Sequence, residues 1–408
     1  MADTKKEQKL ATRLIHGDHE FADDHIGPAI SVSSTYRYPE IGTGPWKSVQ
    51  EGWDTFNSKR YFYSRYTVAT STRAEKILGD MHGGHALLYS SGLSAGFGAL
   101  LFFKPKRIAL KGIRSIVYRS INPSVVSSYP APEFFHLIVS KELIDLDADL
   151  KRGDLVWLET PLNPTGEVRD IAYYAKKAHA AGAKLGIDAT FAPPPLQNPF
   201  KWGADVVMHS ATKYFGGQSD LLAGVLVVKT EEEWRQIWHN RTYLGNPPGS
   251  LESWLVLRSL RTFGLRIATQ SKNATELANW LNQLAKTPRG KTFDGAPGGA
   301  IKHVWHGSLQ EKTSRFDPAR QHEGGYGPTF GLLTVDPYHA QRLPELLKLF
   351  THATSLGGVE SLIEQRRHSN DSEDPRLLRI SVGLEDIEDL KADWRQALHA
   401  ALKEKAKL

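Results

Sequence analysis

A lysine stands between hydroxyl residues and a glycine pair in the stretch HSATKYFGGQSD, residues 209–220. Ser210 and Thr212 flank Lys213, and the apolar run ADVVMHS leads into it, which predicts a buried strand. Burial and nearby positive charge help a lysine amine to lose its proton, and the neutral amine forms Schiff bases with carbonyl groups. The pattern therefore favours a reactive lysine over a surface one.

A second stretch, SSGLSAG at residues 90–96, opens a predicted helix. The free backbone N–H groups at a helix N-terminus bind anions, and the helix dipole favours the same charge. The hydroxyls of Ser210 and Thr212 add side-chain donors of the kind that bind phosphate. Together these features indicate a phosphate site beside Lys213.

An acid completes the pattern, because Asp188 ends the apolar run KLGID upstream of the lysine. Pyridoxal 5'-phosphate is an aldehyde with a phosphate and a pyridine ring, and it needs an acid at the ring nitrogen to act as an electron sink. Each feature also has an ordinary explanation: a solvated lysine, a helix cap, a common turn. Their combination in this order favours the cofactor site.

Composition narrows the classes of protein that remain. The formal charge of +6 comes from Lys and Arg interspersed with Asp and Glu, so no nucleic-acid-binding stripe is predicted. The chain has no cysteine, which excludes disulfides, thiolate metal sites and a cysteine nucleophile. Its histidines show no HExxH spacing and no GxxxxGK[ST] loop occurs, so neither a metal site nor a Walker-type phosphate loop is predicted.

The N-terminus MADTKKEQKL lacks an apolar leader and no apolar run is long enough to span a bilayer, so no membrane association and a cytoplasmic location are expected. Ala406-Lys407-Leu408 is a conservative variant of the Ser-Lys-Leu peroxisomal address, which offers import into peroxisomes as an alternative.

Strands alternate with helices after residue 66. HALLYS, LVWLE, KLGID and ADVVMHS predict strands, and LSAGFGALLFF and DIAYYAKKAHAAG predict helices, which together favour an α/β domain with a mostly parallel sheet. Ligands bind beyond the carboxyl ends of such strands, where Glu159, Asp188 and Lys213 fall.

We predict three parts: a docking segment over 1–65 without helical periodicity, a cofactor domain over 66–265, and a smaller α+β domain over 266–408. The docking segment cannot bury a core alone and is expected to pack on another surface, such as a second subunit. A capping box at residues 72–75 predicts a helix that ends near Gly83-Gly84.

The motifs LETPLNPTG, IDATFAPPPLQNPFKWGADVVMHSATKYFGGQSDLLAGV, SLGGVESL and LLRISVGLEDIEDL give the chain a family resemblance. It resembles the trans-sulfuration, or Cys/Met-metabolism, group of fold-type I pyridoxal-phosphate enzymes over about residues 10–400. The resemblance implies an aminotransferase-like fold, at least a dimer with shared active sites, and a tetramer built from dimers.

The resemblance also implies roles for individual residues. Lys213 is the lysine that binds the cofactor aldehyde and moves protons, and Asp188 pairs with the pyridine nitrogen. Arg379 grips the substrate α-carboxylate, with Ser355 in a second carboxylate-side segment. The remaining cofactor contacts are Asn163 near the phenolic oxygen, Gly92 and Leu93 at the phosphate through their amides, Ser210 and Thr212 at the phosphate through their hydroxyls, and Tyr63 and Arg65 reaching a neighbouring subunit's phosphate.

Two segments depart from the family pattern. The stretch around Tyr118, KGIRSIVYRSINPSVVSSYPAPEFF, replaces the motif that carries a ring-stacking tyrosine, so Tyr118 is either that stacking group or a strand or core aromatic. After SLGGVESL the run IEQRRHSN places Arg366 and Arg367 where they either add positive charge near the far end of the substrate or are solvated on a loop.

The leading functional prediction is replacement at Cγ of an activated homoserine such as O-acetyl-homoserine, through a vinylglycine-type electrophile that a thiol such as cysteine, or a carbon nucleophile, attacks. A β- or γ-lyase acting on cystathionine or methionine is the nearest alternative. A catalytically silent relative that serves in binding or assembly is the alternative from another class.

Overall fold

The computed structural model describes residues 8–21, 25–37, 61–110 and 142–407. Its larger sheet has seven strands in the spatial order β1-β7-β6-β5-β4-β2-β3 within these ranges. The strands are β1 (His85–Tyr89), β2 (Arg107–Ala109), β3 (Glu142–Ile144), β4 (Leu155–Glu159), β5 (Lys184–Asp188), β6 (Val206–Ser210) and β7 (Gly224–Val228). β7 pairs antiparallel with β1 and β6, and the other pairs are parallel, so the predicted mostly parallel sheet is confirmed.

Helices cover both faces of this sheet. They are α1 (Leu10–His16), α2 (Ala69–His82), α3 (Gly92–Phe103), α4 (Ile171–Ala180), α5 (Glu231–Leu244) and α6 (Ser250–Lys286). Along β1, Ala86 and Leu88 join the core formed with α2, α4 and α6, whereas Leu87 and Tyr89 join the core formed with α3 and α5. Neighbouring side chains of a strand point to opposite faces, so a sheet buried on both faces needs the continuous apolar runs seen in the sequence.

A second sheet forms the smaller unit, in the order β10-β11-β14-β13-β12. Its elements, with a separate two-stranded β8-β9 pair, are β8 (Thr292–Phe293), β9 (Ala296–Pro297), β10 (Ile301–Trp305), α7 (Pro318–Gln321), β11 (Thr329–Thr334), α8 (Pro337–Leu346), β12 (Thr351–His352), β13 (Leu362–Gln365), β14 (Leu377–Ser381) and α9 (Ile387–Lys405). Short 3-10 helices also occur, at His19–Phe21, Pro199–Trp202, Gly307–Leu309 and Arg366–His368. Among the described helices, none is long and apolar enough to cross a membrane.

The long helix α6 connects the two cores. Ile267 is packed into the core of the large sheet, and Ala274, two turns further on, is packed into the core of the small one. The predicted boundary near residue 265 therefore falls inside a continuous helix, and the division into three domains stays a prediction.

The N-terminal part differs from the sequence-based expectation, because it contains α1 and packs on its own chain. Leu14 is buried against the large core. Buried Asp18 accepts hydrogen bonds from Arg73 Nε at 2.6 Å and from Arg261 Nη2 at 2.7 Å. A seven-residue helix is too short to show a periodic pattern, and it depends on these tertiary contacts for stability.

The predicted capping box at residues 72–75 was wrong. Helix α2 begins at Ala69, and Glu75 lies buried in its second turn, where it accepts hydrogen bonds from Arg241 Nη1 at 2.6 Å and the Leu88 amide at 2.9 Å. The helix ends where predicted, because Gly83 adopts the left-handed conformation with φ of 75°.

Candidate active site

A cavity of about 650 Å³ lies at the carboxyl edge of the large sheet. Glu159, Asp188 and Ser210, the last residues of β4, β5 and β6, all line it. The smaller unit supplies the opposite wall, including Ser355, Arg366 and Arg379. Residues far apart in sequence thus meet at one polar site, as expected for a sheet of this type.

Lys213 lies in the turn after β6 and points its amine into this cavity. Its Nζ donates a hydrogen bond of 2.6 Å to Ser355 Oγ. Burial lowers the pKa of the Lys213 amine to about 8; the Arg379 guanidinium lowers it too and the Glu364 carboxylate opposes the shift. An appreciable fraction of the amine is therefore neutral near neutral pH, as a nucleophile requires.

The turn that carries Lys213 is held firmly by its backbone. The Lys213 amide donates to the Ser210 carbonyl at 3.1 Å, and the Gly217 amide donates to the Lys213 carbonyl at 2.7 Å. Gly357 packs so closely that a Cβ there would lie 3.0 Å from the Lys213 carbonyl carbon, and its φ of 84° also favours glycine. The SLGG segment therefore fixes the turn from the other side.

Asp188 is buried at the end of β5, and its Oδ1 accepts hydrogen bonds from the Thr190 amide at 3.0 Å and the Thr190 hydroxyl at 2.6 Å. The same hydroxyl accepts from the Ser210 amide at 2.9 Å, which ties β5 to β6. Burial raises the pKa of Asp188, while the Thr190 hydrogen bonds lower it. Such a carboxylate is stabilised by a cation, so it fits the protonated nitrogen of a pyridine ring.

The N-terminus of α3 lies directly against Ser210 at the end of β6. A Cβ on Gly92 would lie 2.9 Å from Ser210 Cβ, so only glycine permits this approach. Ser91 caps the helix by accepting from the Ser94 amide at 3.0 Å. The hydroxyl of Thr212 is engaged with β7, donating to the Ala223 carbonyl at 3.2 Å and accepting from its amide at 3.0 Å. A helix N-terminus next to Ser210, a buried acid and a lysine amine of lowered pKa are groups that pyridoxal phosphate requires, so the residues present fit it.

A group of buried charges forms the wall opposite the sheet. Arg379 on β14 donates to Asn163 Oδ1 at 3.2 Å, to the Ser355 carbonyl at 3.0 Å and to Glu364 Oε2 at 2.6 Å. The Nη1 of Arg366 donates to the same Glu364 oxygen at 2.6 Å. Glu364 was missed in the sequence analysis, although a glutamate within the apolar strand SLIEQ was a signal that could have drawn attention to it.

The two arginines of IEQRRHSN have different positions. Arg366 is buried at the cavity, whereas Arg367 is exposed. The interpretation of both as solvated loop residues is therefore wrong for Arg366.

Five predicted site residues that the structure describes do not line this cavity: Gly92, Leu93, Thr212, Tyr63 and Arg65. Tyr63 is partly exposed, and Arg65 Nη1 donates to the Thr242 carbonyl at 3.1 Å. Their role at a neighbouring subunit stays a prediction. Tyr118 lies outside the described residues.

Fold and site together place a half-buried lysine of lowered pKa at the carboxyl edge of an α/β sheet. The profile of the Cys/Met metabolism PLP-dependent enzyme family matches residues 11–399, and the chain belongs to this family. The family resemblance and the cofactor predicted from sequence are thereby confirmed.

Several relatives match along nearly their whole length. Cystathionine gamma-synthase of Escherichia coli is 32% identical, with 98% of this chain and 100% of the relative covered. Cystathionine beta-lyase of Lactococcus lactis subsp. cremoris is 30% identical, with 95% and 98% covered. Among solved structures, metB from Corynebacterium glutamicum has a TM-score of 0.80 at 28% identity, covering 97% of this chain and 99% of that chain.

We expect cofactor uptake to follow the ionisation of Lys213. In protein freed of pyridoxal phosphate, the rate of covalent capture should rise with pH through a midpoint near the pKa of about 8, because only the neutral amine attacks. Stopped-flow absorbance measures this rate. In Arg379→Gln the midpoint should move upward, since a neighbouring positive charge is lost. A wild-type midpoint at the ordinary lysine pKa of about 10.4 would contradict the burial of the amine.

Proposed function

We propose that the enzyme catalyses replacement at Cγ of an activated homoserine, such as O-acetyl-homoserine, with a thiol as nucleophile. The carrying observation is the similarity to cystathionine gamma-synthase of Escherichia coli over both full lengths. The proposal includes cysteine, sulfide and carbon nucleophiles as candidates for attack at Cγ, with cysteine first.

Cofactor binding is assigned to the large domain in this proposal. Asp188 would accept the ring N–H, and Lys213 would bind the aldehyde. The amides of Gly92 and Leu93 at the N-terminus of α3 and the hydroxyls of Ser210 and Thr212 would hold the phosphate. The Thr212 hydroxyl would have to turn away from the Ala223 carbonyl to contribute.

The substrate is oriented by the wall opposite the sheet. Arg379 presents a planar fork of donors, which suits a bidentate grip on the α-carboxylate. Asn163, which accepts a hydrogen bond from Arg379, would contact the phenolic oxygen of the cofactor ring. Ser355 bonds the Lys213 amine and keeps it aimed into the cavity.

Bound pyridoxal phosphate supplies an electron sink for negative charge at Cα. Once the substrate amine has taken its place on the cofactor, the Lys213 amine would remove the proton from Cα, pass it to the former aldehyde carbon and then take a proton from Cβ. The bond between Cγ and the ester oxygen would then break, and the carboxylate, acetate in the case of O-acetyl-homoserine, would leave. The lowered pKa of Lys213 suits both directions of transfer, because an amine near its pKa both accepts and returns protons.

A second candidate is a cystathionine β- or γ-lyase, favoured by the similarity to cystathionine beta-lyase of Lactococcus lactis. The two reactions share their early proton transfers and differ in whether a nucleophile adds. A catalytically silent role has no support at the described site, where Lys213, Asp188 and Arg379 line one cavity.

We infer that the active form is a dimer, or a tetramer as a dimer of dimers, in which Tyr63 and Arg65 complete a neighbouring phosphate site. Exposed Leu222, Tyr243 and Leu265 support an apolar contact surface between subunits. The cytoplasmic location and the peroxisomal alternative stay predictions.

The reaction is tested by mass spectrometry of products after mixing the enzyme and pyridoxal phosphate with O-acetyl-L-homoserine, with and without L-cysteine. We expect cystathionine only in the presence of cysteine, because the nucleophile enters at Cγ. Formation of 2-oxobutyrate and ammonia alone, unchanged by cysteine, would contradict replacement. L-Cystathionine as the sole substrate then tests the lyase directly, through release of a keto acid.

A further inference from the structure

Arg366 is a charged residue of the cavity for which the proposed reaction has no role. It is 3% exposed, and its Nη1 donates to Glu364 Oε2 at 2.6 Å. Arg379 Nη2 donates to the same oxygen at the same distance. One buried carboxylate therefore pairs with two guanidinium groups.

The remaining contacts of Glu364 do not neutralise it. Its Oε1 accepts from the Ser369 hydroxyl, which carries no charge. Glu364 is 4% exposed, so water gives little help. Burial without a cation strongly destabilises the charged form of a carboxylate, so an ionised Glu364 requires at least one arginine partner.

We infer that Arg366 is a positioning residue that holds Glu364 so that Arg379 is free to change partners. This inference rests on the proposed role of Arg379 at the α-carboxylate. When the substrate arrives, Arg379 turns its donors from Glu364 to the substrate carboxylate, and Glu364 remains paired with Arg366. Without Arg366, the substrate and Glu364 compete for the single guanidinium.

The other charges near this pair agree with the assignment. Lys213 is the other described cation at the cavity, and its amine is bonded to Ser355 rather than Glu364. Arg366 Nε is buried and has no hydrogen-bond partner within the described chain, so its one charged contact is with Glu364. Arg366 thus pairs with the Glu364 carboxylate, whereas Arg379 bonds to Glu364, Asn163 and the Ser355 carbonyl.

The test measures binding of two ligands to the holoenzyme through the absorbance of its cofactor. L-Norvaline has an α-carboxylate and no leaving group, and L-norvalinol has a hydroxyl in place of the carboxylate. In Arg366→Met we expect the Kd of norvaline to rise by about 10- to 100-fold, because its carboxylate and Glu364 then compete for Arg379, and that of norvalinol to stay within about 2-fold.

A second substitution distinguishes positioning from packing. In the double variant Arg366→Met/Glu364→Gln the carboxylate that competes for Arg379 is gone, so norvaline affinity should return to within about 3-fold of the wild type. Arg366→Lys keeps the charge and should remain close to the wild type, and exposed Arg367→Met is the matched control expected to change nothing.

Three results would overturn the inference. They are an equal loss of norvaline and norvalinol binding, failure of Glu364→Gln to restore the affinity, or a loss confined to ligands with a second carboxylate such as L-cystathionine. The last would mean that Arg366 binds the far end of the substrate directly. Arg379→Gln separates the two proposals: if it leaves norvaline binding intact the carboxylate role of Arg379 fails, and if it abolishes binding while Arg366→Met does not, only the positioning role fails.

Discussion

Replacing Lys213 by alanine is expected to lower turnover of the activated homoserine by a factor of about 10⁴ or more, because one amine serves as covalent anchor and as proton carrier. The amine is the cavity group with the lowered pKa and the hydrogen bond to Ser355 that aims it. Product formation measured by mass spectrometry gives the rate, and reduction with borohydride tests for the covalent link, which should be absent in Lys213→Ala.

The same variant should fold at least as stably as the wild type. Burial disfavours the charged form of Lys213, as its lowered pKa records, so removing the amine relieves a desolvation cost. Thermal unfolding of the cofactor-free protein measures this. Exposed Lys272→Ala is the matched control and should retain both activity and stability. A Lys213→Ala enzyme with more than about a tenth of wild-type turnover would exclude Lys213 as the proton carrier.

The strands that carry the site could be predicted from the sequence, because a strand that is buried on both faces consists almost entirely of apolar residues. KLGID and ADVVMHS are apolar runs, and they form β5 and β6 as predicted. The short helix α1 could not be predicted from the sequence, because it is stabilised by contacts with distant parts of the chain. Leu14 packs into the large core, and Asp18 pairs with arginines of α2 and α6. Glu75 shows the same limit: a residue with the right spacing for a cap is instead buried against Arg241.

Site residues within recognisable local patterns were predicted, whereas Glu364 and the pairing of Arg366 with it, which depend on long-range contacts, were not. Lys213 and Asp188 follow apolar strands, so their place at the carboxyl edge follows from the topology. Glu364 and Arg366 owe their proximity to Arg379 to the pairing of β13 with β14, where Glu364 lies opposite Arg379. Glu364 and Arg366 are two residues apart in the sequence, a spacing that also occurs in ordinary surface ion pairs. Only the pairing register of β13 with β14 shows that both lie next to Arg379.

Replacing Asp188 by asparagine is expected to lower kcat by about 10³-fold, the range for removing one preorganised electrostatic contact in a buried site. Asparagine preserves the shape, and its amide oxygen can still accept both hydrogen bonds from Thr190. The substitution removes the negative charge beside the pyridine nitrogen of the cofactor. A neutral amide does not stabilise the protonated form of that nitrogen. The electron sink is thereby weakened while cofactor capture by Lys213 continues.

Cofactor capture and product formation can be measured separately in Asp188→Asn, so each serves as a control for the other. Covalent cofactor capture by Asp188→Asn, followed by absorbance, should be retained, whereas product formation should fall. Asp205→Asn removes a carboxylate away from the cavity, where it bonds the Leu185 amide at 2.8 Å, and should leave kcat unchanged. If Asp188→Asn retained full kcat, the ring nitrogen would not depend on this acid. If cofactor capture were lost as well, Asp188 would be needed to build the site rather than to set its charge.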